Sequence, residues 1–134
     1  MVIRSITGLM SIIIVGAMAA SAVDAASLRV KCEVRDNRSK ASVDGRNLGP
    51  GEYLATISNG TGDVRAAGTI TVAGQADEAE FDFDSDQDDI ADGATAIDRD
   101  FLSGGTVSAK LVSIDGAVET SVAMGMAMCR DRRD

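Results

Sequence analysis

Between Asp77 and Asp100 the chain places eleven carboxylates against a single base, Arg99. The centre of this run reads Asp82, Phe83, Asp84, Ser85, Asp86, Gln87, Asp88, Asp89, Ile90, Ala91, Asp92, with an acid at every second position before the spacing breaks. Calcium takes six to eight oxygens, and loops that wrap it draw them from alternate residues, because only every second side chain points inward. Asp84, Asp86 and Asp88 fit the first, third and fifth places, Ile90 can offer a carbonyl and Asp92 a further carboxylate. The competing expectation is a solvated acidic loop with no bound cation. Glycines that give such loops their flexibility are replaced here by Gln87 and Asp89. Starting the loop at Asp84 puts Thr95 at the twelfth place, where a bidentate glutamate would be needed.

A second set of donors is Met124, Met126 and Met128, at alternate positions beside Gly125 and Ala127. Thioethers are soft ligands suited to monovalent copper outside the cytoplasm. The same residues can equally form a partner or self-association surface, or fill an irregular apolar contact. Catalysis finds less support. The sequence contains no histidine, which removes the usual nucleophile–base pairs and histidine metal sites. A hydrolase using two of the acidic-run carboxylates is the remaining catalytic option, but it needs them set apart across a cleft, one with a raised pKa. The expectation is therefore no enzyme.

These donors must be positioned by the rest of the chain, which begins with a leader. Arg4 precedes an apolar run from Ile6 to Ala20, and small residues follow. Such a layout predicts a secretory signal peptide over residues 1–25, with an uncleaved membrane anchor as the rival. Cleavage fits before Val23 or before Ala26. Residues 26–134 then form one domain of 109 residues with 12 bases and 20 acids, a net charge of −8. This acidity predicts no partnership with nucleic acid and none with a membrane once the leader is removed. A protein or another envelope component is the expected partner, in a secreted or periplasmic location.

Cys32 and Cys129 are the two cysteines. An isolated pair in a small exported domain predicts a disulfide rather than two free thiols.

Alternation with a two-residue period begins at Leu28, and turn residues recur roughly every ten positions, an all-β rhythm. Leu28, Val30, Cys32 and Val34 should face inward, away from Arg29, Lys31 and Glu33. Further strands are predicted over 39–43, 53–58, 64–72, 79–84, 107–114 and 117–129, with a hairpin at Asp115-Gly116. In the fifth of these seven strands Phe81 and Phe83 should point inward, and Glu80, Asp82 and Asp84 outward. If Cys129 faces Cys32, alternation turns Ala123, Gly125 and Ala127 inward and the three methionines outward. A short helical turn is placed around 98–102, and Arg130 to Asp134 are expected to fray as a polar tail. Asn59-Gly60-Thr61 fits an N-glycosylation acceptor, though a hairpin loop accounts for it. Seven strands in one domain predict an antiparallel sandwich, immunoglobulin-like, with a small β-barrel as the alternative.

Two resemblances accompany this reading. Residues 84–92 resemble the short acidic calcium loops of thrombospondin type 3 repeats and, less closely, EF-hands. Over most of residues 28–130, Cys32, Val43-Asp44-Gly45, Pro50-Gly51-Glu52-Tyr53, Glu80 to Ser85, Asp89-Ile90, Gly93 to Ile97, Gly116-Ala117-Val118 and Cys129 together resemble a group of small exported bacterial two-cysteine proteins with no assigned activity. That resemblance implies a secreted two-cysteine β-domain and supplies neither a catalytic residue nor a ligand.

Overall fold

A computed structural model describes residues 25–62, 64–72 and 77–133. Of the predicted leader only Ala25 is among these residues, so the cleavage site before Val23 lies outside them and the one before Ala26 falls at their start.

All-β construction is borne out. The strands are β1 (Ser27–Arg35), β2 (Arg38–Arg46), β3 (Gly51–Asn59), β4 (Val64–Ala66), β5 (Ile70–Val72), β6 (Ala79–Asp84), β7 (Thr95–Ala96), β8 (Thr106–Asp115), β9 (Val118–Met128) and β10 (Arg130–Asp131), with one helix, α1 (Gln87–Ala91), between β6 and β7. They form two sheets, one ordered β10-β1-β2-β6-β7 and the other β4-β3-β8-β9, with β5 also paired to β3. Neither sheet closes into a barrel. The expected count of seven strands is corrected to ten among the described residues, and the purely antiparallel plan to a mixed one: β10 runs parallel to β1, and β7 parallel to β6.

Most of the extra strands are short pieces that sequence alternation is too brief to reveal. The single strand expected over 64–72 divides at Ala67-Gly68-Thr69, and both halves pair with β3. Small residues and glycine offer a strand little to pack, so pairing lapses there. Ala67 still donates to the Ala55 carbonyl at 2.9 Å, which keeps the detour close to the sheet.

The inward faces of both sheets share one core. Val34, Ala41, Val43, Phe81 and Phe83 from the first meet Tyr53, Ala55, Ile57, Val107, Ala109 and Leu111 from the second. Phe81 and Phe83 point inward as their alternation requires, and Phe83 is fully enclosed. β8 and β9 join through Gly116-Ala117, since Asp115 pairs with Val118. Gly116 has φ of +60°, the hand that suits the first residue of a two-residue hairpin loop.

Cys32 and Cys129 are disulfide-bonded across a sequence separation of 97. Cys129 stands where the chain leaves β9 in one sheet and enters β10 in the other, so the bond staples the two layers at their seam. Beyond it, the expected frayed tail is instead ordered against β1. Glu33 pairs with Arg130 and Val34 with Asp131, and the Arg132 amide donates to the Val34 carbonyl at 2.8 Å. Unpaired backbone groups along the edge of β1 draw the tail into the sheet.

Candidate functional site

The acidic run does not act as one unit. Glu80 and Asp82 lie on the solvent side of β6, as expected, and Asp84 shares their face opposite the exposed Lys40, yet it is covered there and only 1 % exposed. Alternation holds to the end of β6, and Asp84 is buried because a partner covers it on the outer face. In the β2–β6 register Lys40 faces Asp84, which places Arg38 just beyond the end of β6. The Arg38 Nε and Nη2 donate to the two Asp84 carboxylate oxygens at 2.9 and 2.7 Å, a two-pronged bond. Nη2 also donates to Asp89, and the Asp86 amide donates to Asp84 Oδ1 at 3.0 Å.

Backbone around this pair is tied just as closely. Ser39 is buried; its Oγ donates to the Arg99 carbonyl at 2.7 Å and accepts from the Leu102 amide at 3.2 Å. Asp84 offers its own carbonyl to the Ile97 amide at 3.0 Å. Residues 98–105 therefore run as successive hydrogen-bonded turns over the core, closed by Phe101 to Asp98, Ser103 to Asp100 and Gly105 to Leu102, and not as the short helical turn expected around 98–102.

The other predicted calcium ligands have separate duties. Asp86 caps α1 by accepting from the Asp88 amide at 2.9 Å. Asp88 and Asp89 occupy the first turn, where negative side chains suit the exposed amides of a helix start. Asp92 ends the helix, and Gly93 follows at φ of +115°, a conformation that favours glycine. This helix was not expected. Five residues are too few to show helical periodicity, but an aspartate before a polar turn is a recognisable start signal. Among the described residues no group of three or more carboxylates or cysteines is gathered as a metal site.

Electrostatics follow from the same arrangement. Burial pushes the Asp84 carboxyl up, yet the Arg38 fork and the Asp86 amide outweigh it and hold the group below its ordinary 3.8. Asp89 is raised, first by its contact with the Asp84 carboxylate. Glu80 is raised by the neighbouring charges of Asp82 and Asp44. Arg38, bonded to Asp84, stays firmly charged. An open groove of about 610 Å3 runs past Glu80, Asp82, Asp92 and Lys40.

The methionines stand as alternation predicts. Met124 and Met126 are each 74 % exposed and Met128 is 85 % exposed, while Ala123, Gly125 and Ala127 turn toward the core. Across β8 their neighbours on the same face are Lys110, Ser108 and Thr106, all exposed. On the inner side β1 comes so close that a Cβ on Gly125 would lie 3.0 Å from Val30 Cγ2. Val122 has no opposite residue, because the pairing skips it where Leu111 faces Ala123 and Val112 faces Ser121.

Two smaller contacts reach the turn at residues 98–101. Asn59 donates to the Phe101 carbonyl at 2.9 Å and accepts from the Thr61 amide and hydroxyl, so its side chain closes the loop as a turn residue does. Arg65 reaches Asp98 at 3.8 Å and stands 6.0 Å from the Phe101 ring centre. No helix among the described residues is long and apolar enough to cross a membrane. No protein-family model matches the chain, and neither a curated protein nor a solved structure matches it.

Proposed function

We propose that this chain is an exported, non-catalytic structural or binding module of immunoglobulin-like two-layer build, whose working surface is the outer face of β9. One observation carries the reading: three large thioether side chains stand exposed side by side on an otherwise acidic molecule. Monomeric soluble proteins seldom leave such apolar side chains clustered and uncovered without an interaction to serve. The disulfide supports an oxidising, extracytoplasmic setting. With a net charge of −8 the surface repels nucleic acid and anionic lipid, which favours a protein or neutral envelope component as partner.

The acidic segment serves the fold in this reading. Arg38 already supplies a cation to Asp84 and Asp89. The test is methionine oxidation by dilute peroxide, read by mass spectrometry. In the native extracytoplasmic fraction Met124, Met126 and Met128 should oxidise several-fold more slowly than in dilute purified protein. Equal rates in both settings would sink the proposed surface.

The rival reading, a soft-metal carrier, draws on the same exposure. Alternate residues of a strand stand about 6.8 Å apart, so two neighbouring thioethers can approach one monovalent copper ion. Titration with copper under reducing conditions decides between them: stoichiometric uptake lost in Met126→Leu favours the carrier.

A further inference from the structure

We propose that the groove crossing the outer face of β1 at the Cys32–Cys129 seam binds an acidic peptide segment of a protein partner. The proposal deepens the reading of β9 as the working surface and rests on it for the apolar half of the contact.

Charge on this molecule is segregated. Residues 27–46 and 130–134 hold nine of the domain's twelve bases and five of its twenty acids, so the net −8 combines +4 here with −12 elsewhere. β1, β2 and β10 bring these residues side by side in one sheet. On the outer face of β1 stand Arg29, Lys31 and Arg35 with one acid, Glu33, whereas β6 presents Glu80 and Asp82 on that face. β6 lies two strand spacings from β1, about 9.6 Å, and surface charges are screened over about 8 Å at physiological salt. A ligand laid along β1 therefore meets the basic strip and little of the acidic one.

The disulfide shapes the groove itself. Cys32 and Cys129 turn inward to reach each other, so alternation sends their sequence neighbours outward: Lys31 and Glu33 from one arm, Met128 and Arg130 from the other. Together with Lys40 and Ser42 of β2, these side chains line an open cleft of about 440 Å3. Register leaves its cations to a ligand. Lys31 faces the uncharged Ser42, and Glu33, set between Lys40 and Arg130, is drawn instead to Arg35 and to Arg132 at 3.7 Å. Among the described residues none of Lys31, Lys40 or Arg130 makes a salt bridge.

Three cations and a thioether thus converge on one cleft. Carboxylates answer the cations and an apolar side chain answers Met128, so the fitting ligand carries acids beside apolar residues. A peptide segment suits this better than a membrane or a nucleic acid. Either of those would cover the whole face and bring its anions against Glu80 and Asp82. A single extended chain is narrow enough to follow β1 alone.

Fluorescence anisotropy tests this with the disulfide-intact protein and a labelled peptide of three glutamates followed by two leucines. That peptide should bind, less tightly as salt is raised, and its glutamine counterpart should bind at least about tenfold more weakly. Lys31→Glu and Arg130→Glu should each lower affinity at least about tenfold, and Met128→Ser several-fold. Arg46→Glu changes the net charge equally at the far end of β2 and should stay within about twofold of wild type. Melting temperatures of all four variants should stay near wild type, since these side chains are exposed. Equal binding of the glutamate and glutamine peptides, or a loss in Arg46→Glu as large as in the groove variants, overturns the proposal. Displacement of the peptide by phosphatidylglycerol vesicles would give the groove to lipid and overturn it as well. Peptide binding indifferent to charge would leave the methionine-oxidation result as it stands, and equal oxidation rates would sink the β9 surface without touching the charge comparisons.

Discussion

Arg38 is the residue on which the acidic run turns. Taking a carboxylate out of water is costly, and removing its partner costs more than the pair itself contributes, because an uncompensated charge stays buried. Arg38→Met should therefore destabilise the protein by about 3 kcal/mol in denaturant unfolding. Asp84→Asn in the Arg38→Met background should restore part of that loss. Acid response follows the same pair. A carboxyl held below its unfolded value contributes stability that is complete above pH 3.8 and is lost as pH falls through its lower folded value. Without Arg38 burial is the largest remaining influence and raises the group, so the contribution of Asp84 in Arg38→Met should grow on acidification. A carboxyl-resolved NMR titration should find Asp89 protonating above 3.8 and Asp84 below it; the reverse order would contradict the clasp. Calcium added to chelator-treated protein should leave the melting temperature nearly unchanged. A rise of several degrees would return Asp84, Asp86, Asp88 and Asp92 to the role of a cation loop.

Among the elements, the edges carry the information. β10 is two residues long, yet it covers part of β1 and orders the chain's end. Deleting residues 130–134 should cost about 1–2 kcal/mol, the scale of one or two backbone hydrogen bonds. Exchange of the β1 amides near Glu33 and Val34 should quicken in the same variant, and unchanged exchange would mean that β10 contributes nothing to the sheet. Strands of six or more residues were legible in the sequence because alternation over that length is unambiguous. Phe81 and Phe83 inward and the three methionines outward follow from that period, whereas the hairpin expected at Asp115-Gly116 turns one residue later, at Gly116-Ala117. Two- and three-residue strands are set by a neighbour's unpaired backbone, and no local pattern announces them. The five-residue α1 escaped for the same reason, although Asp86 signals its start.

At the scale of the whole molecule the disulfide ties the beginning of the domain to its end. Closing a loop of 97 residues restricts the unfolded chain by up to about 4.7 kcal/mol, and native bonds in small domains typically contribute 2–5 kcal/mol. Reduction, or Cys32→Ser with Cys129→Ser, should lower unfolding free energy by about 2–4 kcal/mol without changing strand content. Unfolding with and without reductant measures it, and a thiol count of two without reductant would remove the staple.

Composition and alternation alone determined that this is an acidic β-protein with two cysteines and an outward methionine row. Each of those properties depends on residues near one another in sequence, or on sums over the chain. Tertiary structure decided what the acids do. Asp84 meets Arg38 across a separation of 46 residues, through the register of β2 on β6, and that contact covers a carboxylate that alternation alone would leave in solvent.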